Sequence, residues 1–164
     1  MPIKRTEYIK ALSKDHHSGL LFCWKIKEGI KKGVTADRLN SYMNYFWEGH
    51  LKSHFEEEEV LLFNPLKDDP LSIQAMDEHV QLLAQINSLN TPGLHDTGEY
   101  LDFAQVLTDH IRFEERVLFP HLEQALSQEA LVKIGEALHS AHEIPFEDTY
   151  KDEFWIGKPS GQTS

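Results

Sequence analysis

The segments HFEEEEVLLF (residues 54–63) and HIRFEERVLF (residues 110–119) decide the fold, because they are one phrase written twice. Aligned on His54 and His110, each carries a glutamate four residues on, Glu58 and Glu114. A Leu-Phe pair then follows, Leu62-Phe63 and Leu118-Phe119. On a helix, positions i and i+4 share one face a turn apart, so the histidine and glutamate look the same way and the Leu-Phe pair extends that face as packing surface. An imidazole and a carboxylate turned toward a core cost several kcal/mol unless something satisfies them. Two copies of so costly an arrangement point to one shared partner, and a metal cluster is the natural candidate.

Outward from these segments, the chain reads as helices joined by short polar turns. The first spans about 7–31, with Thr6 as its N-cap and Gly33 as its stop, and a stripe of Ile9, Leu12, His16, Leu20, Cys23, Ile26 or Lys27, and Ile30. The second begins at Thr35 or Ala36 and ends at Phe63 before Asn64-Pro65, with the stripe Leu39, Met43, Phe46, His50, His54, Glu58 and Leu62. The third covers about 72–89 and puts Met76, His79, Leu83 and Ile86 on one face. After a loop at 90–98, the fourth runs from about 99 through 119, kinking or ending at Pro120. Its stripe is Phe103, Leu107, His110, Glu114 and Leu118. Ser127 caps a shorter fifth helix to about Ala141. The tail beyond Glu143 holds Phe146, Tyr150, Phe154 and Trp155 and is too aromatic to be a free linker, whereas 158–164 read as disordered. The expected architecture is an all-α, up-down-up-down four-helix bundle (about 7–125) with an extra C-terminal helix and packed tail (127–157), a single domain over 1–157.

Segment lengths test whether the four striped histidines meet. From His16 to the first turn is about 16 residues and from that turn to His54 about 19, or ~24 and ~28 Å at 1.5 Å per residue. The corresponding legs between His54 and His79 are ~12–14 Å each, and those between His79 and His110 match within a turn. In an antiparallel bundle, His16, His54, His79 and His110 therefore fall at one level with Glu58 and Glu114. Any one of these histidines alone reads as a hydrogen-bonded core residue, but unrelated ones have no reason to satisfy three length matches. One ion cannot easily use all six groups. Two can, with His16/His54 on one, His79/His110 on the other, and both glutamates between them. Such mixed imidazole and carboxylate donors suit iron or manganese.

Composition agrees with a soluble domain of ordinary make-up, with 164 residues, 40% hydrophobic and 26% charged. The net charge of −11 argues against nucleic acid as a partner. There is no apolar run of membrane-spanning length, no signal-peptide core at the N-terminus, and a single cysteine, Cys23; these features fit a cytoplasmic protein with no internal disulfide.

The motif set resembles the hemerythrin-like family, the HHE cation-binding domain, over roughly 8–124. It consists of a histidine on the first helix (Asp15-His16), HxxxE on the second (His54/Glu58), a histidine on the third (Glu78-His79), and HxxxE on the fourth (His110/Glu114), which ends Leu118-Phe119-Pro120. The resemblance implies two iron ions in a non-haem centre, bridged by both carboxylates and an oxo or hydroxo oxygen, that meets O2, peroxide or nitric oxide. Oxygen-carrying members have HxxxH on the third helix, where this chain has Leu83 four after His79, and HxxxxD where this chain has HxxxE. Two imidazoles and two carboxylate oxygens plus a bridge leave each iron an open position. This favours peroxide chemistry, ferroxidase-like oxidation, sensing or iron holding over reversible oxygen carriage.

The rival is a helical module whose metal is structural and whose function lies in a protein partner. A ferritin-type oxidase fits less well, since those sites use four glutamates and two histidines with ExxH spacing. Among the remaining residues, His50 reads either as an added donor or as a polar core residue, Cys23 as a small core hydrophobe, His17 as a surface residue or one that hydrogen-bonds a ligand from outside, and His139 and His142 as surface residues. Glu56, Glu57, Glu59 and Glu115 read as a charged, mostly solvated flank, one of which could assist ion entry.

Overall fold

The computed structural model describes residues 7–157, so the expected Thr6 cap and the 158–164 tail lie outside it. It is 77% helical, without strands among the described residues, and five helices pack together. Helix α1 is Lys10–Lys31. It closes on Gly33, whose φ of +74° lets Val34 N–H reach the Gly29 carbonyl and Gly33 N–H the Ile30 carbonyl. Helix α2 is continuous over 36–63, with Thr35 as its N-cap, and passes through two wider π turns, Trp47–Leu51 and Glu58–Phe63. Helix α3, Pro70–Leu89, starts two residues earlier than its stripe suggested, because the Asp69 side chain caps it and Pro70 fits the first turn. Helix α4 covers 97–125 behind an Asp96/Glu99 capping box and contains a third π turn, Glu114–Leu118. It does not end at Pro120. The ring falls in the first turn of the α-helical segment Phe119–Ala125, just past the π turn, and the helix runs on. Helix α5 is Gln128–Ala141, capped by Ser127.

The π turns have a sequence cause. Four-residue steps on an α-helix drift ~40° each, so His50, His54, Glu58 and Leu62 would wind away from a common face. All four are buried. Wider turns at Trp47–Leu51 and Glu58–Phe63 rotate less per residue and bring the line back. The Glu114–Leu118 turn does the same for His110, Glu114 and Leu118. Helices α1 and α3 contain no π turn, and there the drift is uncorrected. Leu20 and Leu83, both expected inside, are 38% and 41% exposed. The true inward line of α1 runs His16, Gly19, Phe22/Cys23 and Ile26, and that of α3 runs Ala75, His79, Leu82 and Ile86.

The core is in two parts. One apolar cluster holds Phe22, Tyr42, Phe46, Phe103, Leu107 and neighbours; the other holds Leu12, Leu62, Phe63, Leu118, Phe119, Leu122 and the inner face of α5. Between them lies a polar layer. The tail packs back as its aromatics imply, with Phe154 and Trp155 joining the first cluster. Lys25, buried on α1, ties it down. Its Nζ donates to Asp148 at 2.7 Å and lies 4.2 Å from the Trp155 ring centroid, while Tyr42 donates to the same carboxylate.

Candidate metal centre

All six residues expected at one level come together in the polar layer, and all are buried: His16, His54, Glu58, His79, His110 and Glu114. They form two groups, His16/His54/Glu58/Glu114 and Glu58/His79/His110/Glu114, in each of which one ligand atom per residue lies within 4.8 Å of the others. Both glutamates belong to both groups. Glu58 places its oxygens 3.2 Å from His54 Nε2, 3.3 Å from His79 Nε2 and 3.6 Å from His16 Nε2. Glu114 Oε1 is 3.0 Å from His16 Nε2 and 3.2 Å from His110 Nε2.

A second set of acids, missed in the sequence, holds the imidazoles. His54 Nδ1 donates to Asp15 at 3.0 Å, His79 Nδ1 to Glu59 at 2.7 Å, His110 Nδ1 to Glu78 at 2.7 Å and His16 Nδ1 to Glu115 at 2.8 Å. The order is cyclic. Helix α1 supports the histidine of α2, α2 that of α3, α3 that of α4, and α4 that of α1. Glu59 and Glu115 are thus not a solvated flank. The available signal was an acid beside each inward residue (Asp15-His16, Glu58-Glu59, Glu78-His79, Glu114-Glu115). What it could not show was that each acid, about 100° around its helix, faces the next helix's imidazole. The Leu-Phe pairs serve the same end. Phe119 stacks on His16 at 5.1 Å and Phe63 packs on His79 at 5.4 Å, while Phe55 stacks on His79 at 3.8 Å.

With Nδ1–H given to a carboxylate, each imidazole turns its Nε2 lone pair inward, the arrangement that orients metal-binding histidines. His79 and His110 then point two Nε2 atoms at each other across 3.1 Å, which needs positive charge between or on them. His54 Nε2, both Glu58 oxygens and Glu114 Oε2 are buried without a hydrogen-bond partner. Orphaned atoms of this kind are rare in a folded core. Neighbouring donors at right angles around an ion with ~2.1 Å bonds stand ~3.0 Å apart, close to the spacings seen here. The donor set therefore fits cations.

Protons would otherwise have to stand in for them. Burial opposes charge on His54, but the Glu58 carboxylate and the bonds to Asp15 and Glu58 hold it up at about 9. For His110, burial is likewise outweighed by Glu114 and Glu78, giving about 10. His16 and His79 are raised against burial by their carboxylate partners, and Glu58, despite its burial, is held well below the usual range by the surrounding imidazoles.

Other candidates resolve differently. His50 is buried but belongs to neither group. Burial pushes the Cys23 thiol up to about 11, leaving it an inert core residue. His17 and His139 are exposed as expected, but His142 is not a plain surface residue. It caps α5 and binds Glu57 at 2.6 Å. Leu83 faces outward, so a histidine there would miss the layer. The inward neighbour of His79 at the carboxylate level is Ala75, which is no donor either.

Fold and site together define a helical bundle built around a buried nitrogen- and oxygen-donor cation site. The hemerythrin HHE cation binding domain family model matches residues 8–122, and the chain belongs to that family. No curated protein and no solved structure matches it.

Proposed function

We propose that the chain is a non-haem di-iron protein that binds or reacts with O2, peroxide or nitric oxide, in sensing, detoxification or iron holding. The observation that carries this reading is the sharing of both carboxylates between two donor groups, with orphaned oxygens aimed between them. In it, His16 and His54 hold one ion, His79 and His110 the other, and Glu58 and Glu114 bridge. Manganese is the other ion this donor set suits. Bound iron supplies one-electron chemistry toward such ligands. The chain's own residues fix the donors through the carboxylate ring and exclude bulk water with the two apolar clusters. Four protein donors per ion leave positions for a small ligand. A groove lined by Trp47, Phe55, Met76, Val80 and Leu83, with Lys52, Glu56 and Glu59 also along it, reaches His79, a mostly apolar approach open to small molecules. No helix among the described residues is long and apolar enough to cross a membrane, and a cytoplasmic place is part of the proposal.

The complete burial of the two glutamates favours a second reading, a structural metal in a module that acts through a protein partner. Adding peroxide, azide or nitric oxide to the reduced protein separates the two. A change in visible absorption is expected, and silence toward all three selects the structural role. Glu78→Gln and Glu59→Gln test the outer ring. Each should weaken metal binding roughly 10- to 100-fold with the fold intact by circular dichroism, and unchanged affinity would reduce these acids to surface charges.

A further inference from the structure

The repeat makes one half of the bundle a control for the other. Helices α1 and α2 carry His16 and His54, α3 and α4 carry His79 and His110, and the correspondence extends to the packing. Phe119 lies on His16 as Phe63 lies on His79, with ring centroids 5.1 and 5.4 Å apart. The halves differ at two places. One turn from His16, on the side of the glutamates, the inward residue of α1 is Leu12; its counterpart on α3 is Ala75, and both are buried. A methyl group therefore stands beside the His79/His110 pair where an isobutyl group stands beside the other. The second difference is at the seams. Ile111, next to His110, packs α4 so closely on α1 that a Cβ on Gly19 would lie 2.8 Å from its Cδ1. The matching residue next to His54 is Phe55. Its ring lies flat on His79, with 3.8 Å between centroids and 13° between planes, and meets His110 edge-on at 5.8 Å. Phe55 and His79 both line the surface groove, whose rim residues Val80 and Leu83 are 63% and 41% exposed. Phe55 thus touches both the groove and the two imidazoles of the second pair.

We propose that small ligands enter along the α2–α3 seam and bind at the ion held by His79 and His110, with Phe55 as the gate. The inference rests on the reading of the layer as a di-iron centre, and adds which ion meets the ligand and by what path. A close-packed interior passes a molecule only when a side chain moves, and Phe55 is the side chain whose rotation uncovers His79. Lys52, Glu56 and Glu59 along the groove leave it net negative, which turns away multiply charged anions. The ligands that fit are two or three atoms long and neutral or singly charged.

Stopped-flow mixing of nitric oxide with the reduced, iron-loaded full-length chain tests the route, with iron content measured for every variant. Phe55→Ala should speed association and dissociation alike, roughly tenfold, and leave their ratio near the wild-type value, as removal of a gate does. Leu83→Trp, on the exposed rim, should slow association roughly tenfold with both ions retained. Ser18→Trp, in the cleft beside Asp15 on the other half, should leave the rate unchanged. In crystals exposed to nitric oxide, the ligand is expected on the ion beside His79 and His110. A ligand on the ion beside His16 and His54, or rates indifferent to both Phe55→Ala and Leu83→Trp, would overturn the route and leave the di-iron reading standing. An iron-loaded chain blind to nitric oxide in every variant, Phe55→Ala included, would overturn both.

Discussion

His54→Ala combined with His110→Ala is expected to strip the protein of metal and lower its thermal midpoint by roughly 10 °C. Each substitution removes one imidazole from a different donor group, so neither ion keeps its nitrogen pair. The loss is not confined to affinity. Glu58 and Glu114 are fully buried among these imidazoles, and taking the compensating charge away from a buried carboxylate costs about 3–5 kcal/mol. For a chain of this size, 1 kcal/mol corresponds to about 2–4 °C. His139→Ala, on the exposed side of α5, serves as the control and should change neither quantity. Metal analysis and thermal melts check the result, and unchanged iron content in the double variant would refute the assignment.

The second large effect is pH dependence after chelation. His54 and His110, held at about 9 and about 10, bind protons in the folded metal-free chain at pH values where the unfolded chain, near 6.5, has released them. Their contribution is therefore complete below about 6.5 and is lost as pH rises through 9 and 10. Glu58, held low, contributes in the opposite sense. Its share is present above the ordinary carboxylate range and disappears as pH falls through its depressed value. The metal-free protein should thus melt progressively earlier from pH 7 to 10 by several degrees, while the loaded protein holds nearly level, because ions replace the protons. Loading should also release protons. A metal-free midpoint that is flat or rising over that range would show that the imidazoles do not carry the layer's compensating charge.

Much of this molecule could be read from residue types and spacing. The inward lines of α2 and α4 were legible in full because their acids, histidines and apolar residues repeat at four, and the widened turns keep such a repeat on one face. The same rule failed at Leu20 and Leu83. Nothing local distinguishes a four-residue step that a π turn corrects from one that drifts outward. Helix α4 passed Pro120 because the π turn just before the ring changes the local register, a backbone feature that a fixed helical wheel omits. The convergence of the four histidines followed from stripe placement and length counts together, and that of the two glutamates from their place one turn beyond His54 and His110. The outer ring did not. Glu78 stands beside His79 but binds His110, and that assignment needs the relative rotation of α3 and α4. His142 and Lys25 were misread or passed over for a related reason, since their partners, Glu57 and Asp148, are 85 and 123 residues away in the chain.

The most direct test of the central claim is anomalous diffraction from crystals of the full chain loaded with iron or manganese. Two peaks are predicted between α1–α2 and α3–α4, one beside His16 and His54, the other beside His79 and His110, with Glu58 and Glu114 touching both. A single peak, or loaded protein with no peak within reach of these six side chains, would contradict it.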